Sequence, residues 1–271
     1  MHASASQAEC LSLVIEIGGM PVRVNTADPE FLAMLGERYA GFVSASANPE
    51  IEFDVELVPP NFADPDADVS VRQQGGHWSL ERGDFYAEWE PARRRGSIRQ
   101  TANPYSIDAV LRIVHTLVLA RQGGFLLHAA SAIRNRKAFL FAGVSGAGKT
   151  TISRLAPEGA TLLTDEISYV RRADDSYTAF GTPFTGELAK VGENVSAPVE
   201  TLYLLAKGDE NRIDPVAPVE ATRALLENVL FFAEDEVLAQ AAFQSACEFA
   251  KRVPVRRLTF VPNARVWELI G

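Results

Sequence analysis

"FAGVSGAGKTTISRLAPEGATLLTDE", residues 141–166, sets a glycine-rich turn, a lysine, adjacent threonines and a pair of acids within one short run. The apolar stretch that leads into it, "KAFLFAG" (137–143), has the length of a buried strand, and "TTISRLA" (150–156) reads as the helix that follows. Gly143, Gly146, Gly148, Lys149 and Thr150 match G-x-x-x-x-G-K-[ST] in full, in the strand-to-helix setting that this loop requires. Such glycines let consecutive backbone N–H groups turn inward around phosphate oxygens, and the helix start adds partial positive charge. Gly143, Val144, Ser145, Gly146, Ala147, Gly148, Lys149 and Thr150 are therefore expected to bind a nucleotide. Lys149 would lie along the β and γ phosphates and the Thr150 hydroxyl would hold Mg2+. Thr151 either lines the same site or caps the helix.

Asp165 and Glu166 close the apolar run "ATLL" only 16 residues beyond Lys149. A carboxylate at the carboxyl end of a strand in an open α/β sheet points into the ligand crevice. One acid is expected to hold magnesium and the other to take a proton from an incoming hydroxyl, with the assignment left open. The short interval has no room for the coupling machinery of a motor ATPase or for an LSGGQ signature, and suits a compact phosphotransferase. His128, in "GGFLLHAA" (123–130), stands among apolar residues, where a histidine is ordinarily a hydrogen-bonded core residue.

The remaining composition narrows the classes. A chain of 271 residues that is 47% hydrophobic can bury a sizeable core, and a net charge of -9 argues against a general affinity for nucleic acid. The run Arg93–Arg95 reads as a solvated turn. Cys10 and Cys247 stand far apart and form no metal or redox motif, so a reducing cytoplasm is expected. No basic leader precedes an apolar core at the start, and no stretch reaches the roughly 18 apolar residues of a membrane span.

Residues 11–17, 51–58, 69–73 and 85–89 alternate apolar with polar, as half-buried antiparallel strands do. "PEFLAMLGERYAGF" (29–42) has helical spacing and "PPNFADPDAD" (59–68) is a loop. Residues 105–122 predict a helix capped by Ser106 and stopped by Gly123 and Gly124. Beyond it "FLLHAASAI", "KAFLFAG" and "ATLLTDEISYV" read as strands of an α/β core; "ETLYLLAK" and "VRRLTF" follow as strands, with "VEATRALLENVLFF", "DEVLAQAAFQSACEFAKR" and "ARVWELI" as helices.

A histidine on a strand, a strand feeding "GVSGAGKTT", and a strand ending in two acids after a short helix together resemble the catalytic domain of HPr kinase/phosphorylase, over residues 105 to about 205. That family shares its P-loop architecture with the ATP-dependent phosphoenolpyruvate carboxykinases and has shorter bacterial relatives of unassigned substrate. The resemblance implies an α/β P-loop kinase core, a mixed sheet with flanking helices, over residues 105–271, behind an N-terminal α+β, strand-rich domain at 1–104. It also implies a serine-directed kinase using ATP and Mg2+, with Gly143 to Thr150 as the nucleotide loop, Lys149 on the phosphates, Thr150 as a metal ligand, Asp165 and Glu166 as the acidic pair, and His128 matching the family's histidine.

Three positions depart from the family. It shows two aspartates where this chain has Asp165 and Glu166, and a glycine where Ala129 follows His128. "FGTPFTGELAKVGENVSAP" replaces its glycine-rich segment after the acids, with Glu187 as a candidate metal ligand and Lys190 as a candidate phosphate contact. The expected chemistry is transfer of the γ-phosphate of ATP to a hydroxyl, a serine on a small protein or peptide. A small-molecule kinase and a nucleotide-binding regulatory module with slow ATP hydrolysis are the alternatives. The acceptor and the oligomeric state stay open.

Overall fold

The structure, a computed structural model, describes residues 10–60 and 67–271. The chain start and the middle of the expected loop at 59–68 lie outside the described residues. The fold is mixed α/β with two sheets, and the chain divides into compact units Met1–Leu111 and Arg112–Gly271.

In the first unit β1 (Leu11–Ile17) and β2 (Met20–Thr26) form a hairpin, followed by α1 (Pro29–Arg38), β3 (Ile51–Leu57), β4 (Ser70–Gln74), β5 (His77–Arg82), β6 (Phe85–Glu90) and β7 (Arg95–Gln100). They make a seven-stranded sheet in the order β1-β2-β3-β7-β6-β5-β4. Three of these strands, β2, β5 and β7, were not anticipated. The expectation of antiparallel pairing needs correction too, because β2–β3 and β3–β7 run parallel. Each parallel pair is joined by a long connection, α1 in one case and the β4–β6 meander in the other, as parallel neighbours require.

Helix α1 starts where Asp28 accepts the Phe31 N–H (2.8 Å) and Pro29 occupies the first turn. Its apolar residues Phe31 and Leu35 are buried, as are Val22, Val24, Phe53, Trp78, Leu80, Ala87 and Ile98 from alternating strand positions. Arg93 and Arg94 sit exposed on a short turn, and Arg95 opens β7.

Helix α2 (Pro104–Gln122) spans the division between the units. Its cap is Asn103 rather than Ser106: the Asn103 carboxamide oxygen accepts from Tyr105 N–H (2.7 Å) and Ser106 N–H (3.2 Å). Ser106 instead donates to the buried Asp84 carboxylate (2.6 Å). Asn103→Ala should therefore cost about 1–2 kcal/mol, read as a lower denaturant midpoint, whereas Ser106→Ala should not fray the helix start.

The second unit holds β8 (Phe125–Arg134), β9 (Lys137–Ala142), α3 (Lys149–Arg154), β10 (Thr161–Thr164), β11 (Ile167–Ala173), β12 (Ser176–Phe180), β13 (Ser196–Lys207), β14 (Arg212–Pro215), α4 (Pro218–Leu226), α5 (Glu236–Arg252) and β15 (Val255–Phe260). Its eight-stranded sheet runs β10-β8-β11-β12-β13-β15-β14, with β9 bonded to both β8 and β13. The pairings β8–β11–β12–β13–β9–β8 therefore return on themselves. Only β9–β13 and β13–β15 are parallel in this sheet, so it is mixed and mostly antiparallel.

Alternation along the strands fills two cores. Leu127, Ala129, Leu140, Leu202 and Leu204 pack with Leu225 of α4 and Phe249 of α5. Phe139, Phe141, Tyr203 and Leu205 pack with Ile152 of α3 and with Val266 and Trp267 near the C-terminus. The Trp267 indole donates to the Ile152 carbonyl (3.1 Å), fixing α3 against the sheet.

The stretch expected as one strand, "ATLLTDEISYV", is two. The Thr164 hydroxyl accepts from Glu166 N–H and Ile167 N–H (both 3.1 Å), a local turn that competes with strand pairing and ends β10. The two acids stand at that bend. Among the described residues no helix is long and apolar enough to cross a membrane.

Candidate functional site

The carboxyl end of β9 runs into the glycine loop at 143–148, and α3 begins at Lys149. Gly148 has φ 113°, and a Cβ there would lie 2.7 Å from the Phe260 ring, so backbone conformation and close packing both demand glycine. The helix is only six residues long, which confines any dipole effect to the first turn.

Lys149 is 8% exposed and donates to the Gly143 carbonyl (3.0 Å). Burial lowers its pKa, while the Glu166 and Glu187 carboxylates oppose that shift. Both effects are local, since removing water penalises the ammonium and nearby negative charge favours it. The Thr150 hydroxyl donates weakly to Glu187 (3.4 Å).

Across from the loop, His128 Nε2 lies 3.3 Å from a Glu166 carboxylate oxygen, and both side chains are about one-third exposed (39% and 34%). The histidine is therefore not a core residue. Its outward turn follows from strand register, since the apolar Leu127 and Ala129 on either side point into the core. Among the described residues the buried histidine is His115 of α2.

The two acids have different surroundings. Asp165 is 1% exposed, with one carboxylate oxygen accepting Gly186 N–H (2.9 Å) and the other Leu188 N–H (2.8 Å). Glu166 faces the open space that the glycine loop also borders. That cavity, about 460 Å³, is lined by Ser145, Gly146, Gly148, Lys149, Thr150, Thr151, His128, Glu166, Gly186 and Glu187.

The structure thus brings together Ser145, Gly146, Gly148, Lys149, Thr150, Thr151, Glu166, His128 and the candidate Glu187, and leaves Gly143, Val144, Ala147, Asp165 and Lys190 out of the wall. Gly186 and Leu188, whose amides hold Asp165, and Phe260, which underlies Gly148, were not anticipated. Local sequence carries no signal for such partners across 21 or more residues. A larger hollow of about 910 Å³ lies between α4 and α5, but Val219, Leu226 and Phe243 give it apolar walls, and size alone does not select a polar site. Arg223, Arg252 and Arg257 pair with Glu227, Glu248 and Glu220 respectively.

For magnesium, the cavity offers the Thr150 hydroxyl and the carboxylates of Glu166 and Glu187, oxygen donors of the class a hard cation takes. Among the described residues no group of three or more His, Cys, Asp or Glu is arranged to hold a metal unaided. A cation here would draw further ligands from phosphate or water, as magnesium commonly does.

No curated protein matches the sequence. The Hpr(Ser) kinase/phosphatase from Coxiella burnetii, a solved structure, is similar over 50% of this chain and 84% of that chain at 11% identity, with a TM-score of 0.28. So distant a likeness bears on neither fold detail nor chemistry. Residues 97–271, more than half of the sequence, match the family described as SynChlorMet cassette protein ScmC, and the chain belongs to that family.

Proposed function

We propose that this chain is an ATP- and magnesium-dependent phosphotransferase acting on a hydroxyl, with a serine of a small protein or peptide as the acceptor class the motif resemblance favours. One observation carries the reading: Gly146, Gly148, Lys149 and Thr150 of the glycine-lysine-threonine loop and the His128–Glu166 pair line a single cavity. The loop amides and Lys149 stabilise charge on the transferring group. Thr150 and Glu187 are the residues that would hold magnesium, which when bound neutralises phosphate charge. Glu166, steadied by His128, takes the proton as the acceptor oxygen bonds to the γ phosphorus and the bond to the β–γ bridging oxygen breaks. A reaction drawing on ATP belongs in the cytoplasm, where the free thiols Cys10 and Cys247 stay reduced.

Calorimetric titration with ATP and magnesium tests the nucleotide half of this reading. Saturable binding should weaken at least about tenfold in Lys149→Ala, which loses a charge-assisted contact to phosphate. Absence of binding by the wild type would remove the proposal.

A further inference from the structure

Residues 181–193 close back on β10, the terminal strand of its sheet. Thr182 N–H donates to the Leu163 carbonyl (3.1 Å) and Glu193 N–H to the Leu162 carbonyl (3.0 Å). These bonds fix the two ends of the loop. The Thr164 hydroxyl donates to the Phe184 carbonyl (3.3 Å), and at the tip Asp165 holds the amides of Gly186 and Leu188. Glu187 stands between those two amides and directs its carboxylate to the Thr150 hydroxyl. The approach is close: a Cβ on Gly186 would lie 2.6 Å from Glu166 Oε2 and 3.1 Å from Asp165 Oδ2.

A buried carboxylate that accepts one backbone N–H on each oxygen is well satisfied in its charged form. It is also poorly placed to take a proton from a substrate in the neighbouring cavity, because both oxygens point at the loop. We propose that Asp165 is a positioning residue that acts through Glu187: it clamps the 186–188 tip so that Glu187 faces Thr150 and supplies the carboxylate for the metal. This rests on the phosphotransfer reading. It divides the acid pair, with Glu166 working at the cavity and Asp165 behind it.

The test compares the full-length wild type with Asp165→Asn, Glu187→Gln and the double variant. An asparagine offers one acceptor oxygen and sets an N–H against the second amide, so the clamp is lost with little change of volume. Amide hydrogen exchange is read at Gly186 and Leu188, Mn2+ binding in the presence of ADP by electron paramagnetic resonance, and transfer as a function of magnesium concentration.

Asp165→Asn should raise exchange at both amides about tenfold or more. Asp165→Asn and Glu187→Gln should each weaken Mn2+ binding about tenfold, with the double variant no weaker than the worse single one, since the two residues act as one unit. Saturating magnesium should restore most of kcat in both.

Unchanged exchange at Gly186 and Leu188 would overturn the proposal. So would Asp165→Asn losing transfer at every magnesium concentration with Mn2+ affinity intact, since that would make Asp165 the proton acceptor. If the exchange of the remaining chain shows that Asp165→Asn does not fold, the exposed Glu187→Gln carries the test, and normal Mn2+ affinity in it counts against the proposal. A wild type that transfers nothing would end the phosphotransfer reading, while exchange at the two amides would still decide whether the clamp exists.

Discussion

Glu166→Gln is expected to lower phosphoryl transfer by about 10²- to 10⁴-fold, the usual contribution of a positioned general base. Nucleotide affinity should hold or improve, because the exchange removes a negative charge from beside the phosphates. His128→Asn should lower transfer as well, and the double variant should be little worse than Glu166→Gln alone, because the two side chains meet at 3.3 Å and the proposed function gives both to one proton transfer. Rates at saturating ATP and acceptor, with binding measured separately, distinguish this from a loss of affinity. Equal loss from each residue with full additivity would mean that they work independently.

The second large effect is on stability and comes from outside the site. His115 of α2 is fully buried, with Nδ1 3.1 Å from the Tyr169 hydroxyl and no hydrogen-bond partner for Nε2 among the described residues. Burial, helped by the charge of Arg171, lowers its pKa to about 3. The folded imidazole therefore stays neutral down to that pH, whereas the unfolded one takes up a proton below about 6.5. The folded pKa is the lower of the two, so this contribution to stability is complete above pH 6.5 and is lost as pH falls toward 3. Between pH 6.5 and 4.5 it should cost about 2–3 kcal/mol. Denaturant unfolding at both pH values checks this, with His115→Leu expected to lose that part of the pH dependence. An identical pH dependence in the two proteins would show that the imidazole titrates normally.

What the sequence disclosed was local. The β9–loop–α3 run is encoded within one consecutive stretch, residues 137–154, by glycine, lysine and apolar spacing, and it was readable without any tertiary knowledge. The two acids at the end of β10 were equally readable. Their different surroundings were not, because those depend on amides 21 and 23 residues beyond Asp165, in a loop with no periodicity of its own. Asn103 and Ser106 are both capping residue types, and only the partner Asp84 reveals why the serine faces away. His128 was weighed by its apolar neighbours, yet on a strand those neighbours belong to the opposite face. Parallel pairing in the first sheet likewise turns on which distant strands become neighbours, a choice made by the connections.

Transfer of the γ-phosphate from labelled ATP, with magnesium, to size-fractionated extract of the source cells is the most direct measurement. It should be run with wild type, Lys149→Ala and Glu166→Gln. A labelled product formed by the wild type and absent with both variants is the expected result, and its size identifies the acceptor class. Tight ATP binding with no fraction ever labelled would contradict phosphotransfer and leave the chain as a nucleotide-dependent regulatory module.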